Sequence, residues 1–195
     1  MAKISHNENI SLISFVAFDL ETTGLTAGLD KIVEISGIKF QNRVTFSTFD
    51  TLVDPEIPIP AEITRINGIS DKMVHGKPTI ENVIPHFLDF IRGCVLVAHN
   101  ASFDIGFLNA VLKNQNLPQI NQSLVDTLTL ARRTIPNQPN YKLQTLAAFF
   151  KIDPGNAHRA KDDAAVCRDI FYHCLSRVRD GETMSLEKLL KLATP

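Results

Sequence analysis

The amino-acid sequence predicts an α/β fold with a mixed five-stranded sheet flanked by helices. Near the start of the chain, three strand-like runs follow one another with few residues between the second and the third, which is typical of an antiparallel meander. Further along, two short apolar runs are each followed by a helical pattern, which is typical of parallel strands. We therefore expect a sheet that combines a three-stranded meander with two parallel strands.

The meander is predicted from residues 13–20, 32–40 and 44–53, which are rich in β-branched and aromatic residues. Residues 41–43 separate the last two runs and are few enough for a hairpin turn. A proline-rich piece then carries the chain to a short helical candidate at residues 61–66.

The second half of the chain alternates strands and helices. Apolar residues recur at helical spacing from Thr79 to Gly93, residues 94–98 form the fourth strand, and another helix begins at Ser102. Residues 123–125 form a short fifth strand. The remaining helical patterns cover residues 127–134, 143–150, 161–178 and 185–192.

The composition excludes several classes of protein. The 195 residues include 20 Lys or Arg and 21 Asp or Glu, and 44% are hydrophobic, which is typical of a soluble globular chain. No stretch has the length and apolar character of a secretory signal or a membrane span, so we expect a cytoplasmic protein with no membrane partner. Cys94, Cys167 and Cys174 have apolar neighbours, which predicts reduced core cysteines. One main domain at residues 1–180 and a short helical tail at residues 181–195 are expected.

Two acidic residues stand at the end of the first strand. Asp19 and Glu21 are two positions apart, so the period of a strand places both carboxylates on one face. Like charges at the end of a sheet repel and lose hydration unless a cation neutralises them. The pair therefore indicates oxygen ligands for Mg²⁺ or Mn²⁺, and a solvated strand end is the alternative.

Two further acidic residues begin the apolar faces of helices. Asp104 lies in the first turn of the helix from Ser102, on the same stripe as Leu108, although a role at the helix N-terminus is the alternative. Asp163 is the first residue of the apolar face of the last long helix. The adjacent Asp162 points about 100° away from it and is expected to be solvated.

Divalent cations are the simplest way to compensate these core-facing carboxylates, because few basic residues are close to them in sequence. Two metal ions about 4 Å apart can activate a water and stabilise a leaving oxygen, as in phosphodiester hydrolysis. His158, five residues before Asp163, has the acid–base range needed to accept the proton of that water. A solvated loop histidine is the alternative.

Three segments carry these residues in order. They are DLETTGL at residues 19–25, HNASFD at residues 99–104 and HRAKDDA at residues 158–164. Together they strongly resemble the exonuclease motifs of the DEDDh superfamily, and the likeness spans residues 14–175. Within that superfamily the segments are most similar to proofreading epsilon subunits of bacterial DNA polymerase III.

The resemblance implies an RNase H-like fold and metal-dependent 3′ to 5′ hydrolysis of nucleic acid, with release of nucleoside 5′-monophosphates. His158 matches the general base of the superfamily, and Arg159 stands where the tyrosine subtype carries its tyrosine. The residues that match its ligands for two Mg²⁺ or Mn²⁺ ions are Asp19, Glu21, Asp104 and Asp163.

The same resemblance implies contacts with the substrate. The loop that holds the 3′-terminal nucleotide in the superfamily matches residues 22–25, and its leucine wedges against a base. Asp126 matches a recurrent acid, to which we assign helix capping or support of the site rather than metal binding. The residues expected to contact substrate are Thr22, Thr23, Gly24, Leu25, Asn100, Phe103 and His158.

The expected substrate is a single-stranded or frayed 3′ end of DNA, as in proofreading or repair. An RNA 3′ end is the alternative, because no residue in the sequence settles the choice of sugar. Six basic residues between Arg132 and Lys161 oppose the single acid Asp153, which indicates either local phosphate contacts or a solvated helical face.

Two protein partners are candidates, a DNA polymerase and a second copy of the chain. The tail at residues 181–195 is amphipathic and can dock on its own domain or on either partner. An inactive accessory module that only binds nucleic acid is a third interpretation. That interpretation requires the loss of an acidic residue of the motifs, and all four are present.

Overall fold

The computed structural model describes residues 4–194. The strands form one five-stranded sheet in the order β3-β2-β1-β4-β5. β2 pairs antiparallel with β1 and β3, whereas β4 pairs parallel with β1 and β5, so the predicted mixed sheet is confirmed. The bounds are β1 Phe15–Thr22, β2 Ile32–Gln41, β3 Val44–Leu52, β4 Val95–Ala98 and β5 Leu124–Asp126.

The described residues contain eight α-helices. The short helix α2 was not predicted, because a single turn is too brief to show a periodic pattern. Helix α7 ends at Leu175, short of the predicted residue 178, because the following residues turn with i→i+3 hydrogen bonds. The bounds are α1 Ala61–Asn67, α2 Asp71–Val74, α3 Ile80–Ile91, α4 Ser102–Asn114, α5 Thr127–Thr134, α6 Leu143–Phe150, α7 Ala160–Leu175 and α8 Leu186–Ala193.

Strand β1 divides the core into two layers. Val16 and Phe18 pack with α3 and α4 on one face of the sheet, whereas Phe15 and Ala17 pack with α5, α6, α7 and α8 on the other. This alternation follows from the period of two along a strand, and both faces of β1 are apolar because both are covered. Asp19 and Glu21 continue the face that carries α7.

The structure also bears on the cysteines and on the search for a membrane span. Cys94, Cys167 and Cys174 are buried free thiols, as expected for reduced core cysteines. Within residues 4–194, none of the helices combines the length and the apolar character that a membrane span requires.

The tail helix α8 packs on the same core as β1. Leu186, Leu189 and Ala193 are buried among residues of α5 and β5. The segment before β1 holds the tail by main-chain hydrogen bonds, in which the amide of Leu186 donates to the carbonyl of Glu8 at 2.9 Å. The tail therefore docks on its own domain over the described residues, and the division of the chain at residue 180 stays a prediction. Residue 195 lies outside the described residues.

We expect Leu189→Ala to lower the free energy of unfolding by about 2 to 5 kcal/mol, because it leaves a cavity in a fully buried position. Urea denaturation followed by circular dichroism measures this loss. The matched control is Lys188→Ala, an exposed neighbour on the same helix, for which a change within about 0.5 kcal/mol is expected. Equal losses in the two variants would show that α8 does not contribute its apolar face to the core.

Candidate active site

Three carboxylates meet where β1 ends beside α7. Asp19 and Glu21 come from β1 and Asp163 comes from the first turn of α7, which crosses β1 on that face of the sheet. One carboxylate oxygen from each of them lies within 4.8 Å of the others. The period of two along β1 and the helical stripe of α7 thus converge on one point, as the sequence predicted.

Asp104 faces the same cleft from the opposite helical layer. Its carboxylate is buried and accepts a hydrogen bond from the main-chain amide of Leu20 at 3.2 Å. This bond ties α4 to β1 at the position between Asp19 and Glu21. The four predicted acids therefore line one open cleft of about 570 Å³, together with His158.

Two hydrogen bonds fix the carboxylate of Asp163. The main-chain amide of His158 donates to its Oδ2 at 3.1 Å, and the Gln144 side chain of α6 donates to its Oδ1 at 2.9 Å. Asp162 points elsewhere, since its carboxylate accepts from the main-chain amide of Asn156 at 2.8 Å. The two adjacent acids thus differ in direction as the helical spacing predicted.

Burial and mutual repulsion dominate the electrostatics of the cleft. Burial, followed by the charges of Asp104, Glu21 and Asp163, raises the pKa of Asp19 well above its ordinary value. Burial raises the pKa of Glu21 to about 8, against a hydrogen bond from Asn67 that lowers it. Burial likewise raises the pKa of Asp104 to about 8 and, in direction, that of Asp163.

A divalent cation fits this donor set. Each of the converging side chains offers carboxylate oxygen, the ligand that hard divalent cations bind. Apart from burial, the charges that shift the pKa values of Asp19 and Glu21 are those of other carboxylates, which raise them further. The cluster therefore has both the ligand chemistry and the charge deficit of a metal site.

The loop that follows β1 is held by its own hydrogen bonds. The Thr22 hydroxyl donates to the carbonyl of Gly24, and the Thr23 hydroxyl accepts from the amide of Lys31 at 2.9 Å. A Cβ at Gly24 would lie 2.5 Å from the carboxylate of Asp30, so a larger residue at position 24 would displace that side chain. Leu25 is 81% exposed at the tip of the loop.

Asn100 and Phe103 lie in the cleft near Asp104. The backbone of Asn100 has a positive φ of 62° and its amide donates to Asp126 at 2.9 Å. Asp126 also accepts from the amide of Leu128 in the first turn of α5, so its carboxylate caps a helix, as the sequence analysis assigned. The structure thus brings Asn100, Phe103 and His158 into the cleft, whereas residues 22–25 lie beyond its lining.

Several contacts with the cleft were not predicted from the sequence. Gln144 contacts Asp163, and Asn67 contacts Glu21. His99 lines the cleft and donates from Nε2 to the carbonyl of Tyr141 at 2.9 Å, which holds the segment before α6 in place. Each contact joins residues distant in sequence, so spacing alone does not reveal it.

The basic residues between Arg132 and Lys161 do not act as one surface. Lys142 lines the cleft. Arg159 forms an ion pair with Glu34 at 2.6 Å, and Lys161 lies 3.9 Å from Asp50. These pairs use part of the positive charge within the protein, so the local charge excess predicted from the sequence overstates the charge available to phosphates.

Comparisons with known proteins define the class of this chain. A family model described as Exonuclease matches residues 16–171. The chain belongs to this exonuclease family. The DNA polymerase III subunit epsilon of Treponema pallidum is 42% identical over 161 residues, which are 82% of this chain and 75% of that subunit. The resemblance identified in the sequence is therefore confirmed.

A longer relative and two solved structures extend the comparison. The DNA polymerase III PolC-type of Caldanaerobacter subterraneus subsp. tengcongensis is 43% identical over 90% of this chain, which spans only 12% of that relative. Exonuclease X in complex with 5′ overhanging duplex DNA has a TM-score of 0.69 and 30% identity, covering 89% of this chain and 98% of that one. E. coli Exonuclease I with a dT13 oligonucleotide has a TM-score of 0.74 at 17% identity, covering 86% and 42%, and shows the shared RNase H-like fold alone.

We expect the metal-free protein to lose stability as the pH rises. Glu21 has a pKa of about 8 in the folded protein against an ordinary value of 4.5, so the folded state binds this proton more tightly than the unfolded state. Stability therefore falls as the pH rises through that interval. In excess chelator, the temperature of thermal unfolding should fall between about pH 5 and about pH 8.

The control for this prediction is Glu21→Gln, which cannot ionise and should show a smaller fall over the same interval. Addition of Mg²⁺ or Mn²⁺ at the higher pH should raise the unfolding temperature of the wild-type protein. An unfolding temperature that rises with pH in chelator would contradict the electrostatic description of the cleft.

Proposed function

We propose that the chain is a metal-dependent 3′ to 5′ exonuclease that hydrolyses phosphodiester bonds at single-stranded or frayed 3′ ends of DNA and releases nucleoside 5′-monophosphates. The observation that carries this proposal is the convergence of Asp19, Glu21 and Asp163 within 4.8 Å in a cleft that Asp104 and His158 also line. Membership of the exonuclease family supports it.

Asp19, Glu21, Asp104 and Asp163 are the residues proposed to hold two Mg²⁺ or Mn²⁺ ions. When bound, such ions activate a water and stabilise the leaving oxygen of the scissile phosphodiester. The role of the protein is to fix the carboxylates before the substrate arrives. Gln144 and the amide of His158 orient Asp163, and the amide of Leu20 orients Asp104.

His158 is proposed as the general base. It is exposed in the loop before α7 and lines the cleft, so its imidazole can accept a proton from a water positioned near Asp163. An imidazole suits this task because its ordinary pKa lies near neutrality. The hydrogen bond from the amide of His158 to Asp163 keeps the proposed base close to that carboxylate.

The substrate is proposed to enter between the loop at residues 22–25 and α4. Leu25 is exposed and can wedge against a base, and Phe103, next to Phe107 at 4.9 Å between ring centroids, offers a ring in the cleft. Lys142 lines the same cleft and is placed to neutralise a phosphate. These contacts suit a few terminal nucleotides rather than a long duplex.

DNA is proposed as the substrate because of the relatives. The matched proteins include a DNA polymerase III subunit epsilon and Exonuclease X, the latter solved with duplex DNA. Those names also make a DNA polymerase the proposed protein partner and the cytoplasm the proposed location. A second copy of the chain is the alternative partner, which size-exclusion chromatography with light scattering distinguishes from a monomer.

The test of this function uses matched 5′-labelled single-stranded DNA and RNA with Mg²⁺, with Mn²⁺ and with chelator. We expect metal-dependent shortening from the 3′ end, faster on DNA than on RNA, with nucleoside 5′-monophosphates as products. A faster rate on RNA would transfer the proposal to the exoribonuclease alternative. No shortening by a folded protein with either metal would overturn the proposal.

Asp163→Asn should abolish turnover while the protein remains folded, because it removes a charge from the metal cluster. The matched control is Asp162→Asn, which keeps an oxygen acceptor for the amide of Asn156 and should retain most of the activity. Initial rates on labelled DNA measure both variants, and thermal unfolding reports their folding. Similar losses of rate would refute the assignment of different roles to the two acids.

A further inference from the structure

An ion pair between a buried carboxylate and a partly exposed guanidinium lies beside the carboxylate cluster. Glu34 on β2 is opposite Glu21 in the strand register and is only 2% exposed. The guanidinium of Arg159 donates to both oxygens of Glu34, at 2.6 and 3.2 Å. The main-chain amide of Ala160 donates to the same carboxylate at 2.9 Å. Glu34 thus joins the middle of the sheet to the start of α7.

The position of Glu34 is electrostatically unfavourable. Its charge adds to the repulsion felt by Asp19 and Glu21, since it raises the pKa of both. Replacement of a buried ion pair by apolar residues is often neutral or stabilising, so stability alone does not account for the pair. The two hydrogen bonds orient the Arg159 side chain, because a planar guanidinium bound through two donors has a defined orientation.

The ion pair fixes the residue next to His158. Arg159 is the N-cap of α7 and makes no side-chain cap of its own, so Glu34 supplies the acceptor for the first helical amide. His158 has a positive φ of 63°, a conformation that a side-chain-bearing residue adopts at a cost. The neighbouring structure must therefore hold it there.

We propose that Glu34 and Arg159 are positioning residues that hold His158 over the carboxylate cluster. Two contacts hold His158 and its neighbour. The amide of His158 donates to Asp163, and the guanidinium of the next residue, Arg159, donates twice to Glu34. Removal of the ion pair loosens Arg159, the residue that follows His158, whereas Asp163 remains fixed by Gln144 and by its burial on the core side of the helix. This inference rests on the proposed exonuclease function.

The first test is the double variant Glu34→Gln/Arg159→Gln, which removes both charges together and so leaves no single buried charge behind. The expected result is a kcat reduced by about 10- to 100-fold with little change in KM, as for the loss of residues that orient a reacting group. Thermal unfolding in the presence of Mn²⁺ reports the stability of each variant. If the double variant does not fold, Arg159→Lys replaces it, because lysine keeps the charge and loses the planar guanidinium.

The matched control is the ion pair of Arg43 and Glu182. It has the same two-bond geometry, at 2.5 and 3.0 Å, but is exposed and remote from the cleft. Arg43→Gln/Glu182→Gln should leave kcat unchanged. A fall in kcat of the same size in both double variants would assign the effect to general destabilisation and overturn the proposal.

The decisive measurement is a cycle with His158→Ala, whose own expected loss of rate is about 10²- to 10⁴-fold. If the ion pair acts through His158, its removal should lower kcat much less in the His158→Ala protein than in the wild type. An equal loss in both backgrounds would show that the pair acts on another group. An unchanged kcat after removal of the pair from the wild type would also overturn the proposal.

Failure of this inference is distinct from failure of the proposed function. The activity of each variant is compared with that of the wild-type protein, whose metal-dependent shortening of DNA is established first. Absence of that activity refutes the function, whereas its presence together with an additive cycle refutes only the positioning role. A Mn²⁺ affinity measured by calorimetry should be similar in the wild type and the double variant, and a large loss of affinity would mean that Glu34 serves the metal cluster instead.

Discussion

Repulsion among buried carboxylates is the constraint around which this molecule is organised. Burial, followed by the charges of neighbouring carboxylates, raises the pKa values of Asp19 and Glu21, so both would ionise more readily in water. Apolar packing on both faces of β1 holds these acids in place, since Val16 and Phe18 anchor one layer and Phe15 and Ala17 the other. Core packing thus maintains a charge arrangement that is relieved either by protonation of the carboxylates or by a bound cation.

Three secondary-structure elements position the four acidic residues of the cleft. β1 supplies two acids through its period of two, and α7 supplies one through its apolar stripe. α4 supplies the fourth, which is secured by a hydrogen bond to the main chain of β1. Because these elements pack on the two faces of one sheet through β1, the geometry of the cleft depends on the packing of the whole fold rather than on any single loop. The loop before α7 is the exception, and there an ion pair replaces packing.

The sequence predicted the parts of this structure that depend on local periodicity. The alternation in β1 placed Asp19 with Glu21, and the helical spacing in α7 separated Asp163 from Asp162, as the hydrogen bonds show. Contacts between distant segments were beyond it. Glu34 is one of several polar residues in β2, and its pairing with Arg159 is visible only once β2 and α7 are in contact.

The main-chain contacts between the segment before β1 and the tail also affect how such a domain can be joined to other protein segments. Asn9 and Ser185 form a bridge, and the main chain of Glu8 bonds to that of Leu186, so the two ends of the fold lie side by side. A unit with adjacent ends can be placed within a longer polypeptide without separating the flanking segments. The PolC-type relative, of which this chain matches 12%, shows that a homologous stretch occurs within a much larger protein. The adjacent ends therefore allow this exonuclease fold to be accommodated in polypeptides of different lengths.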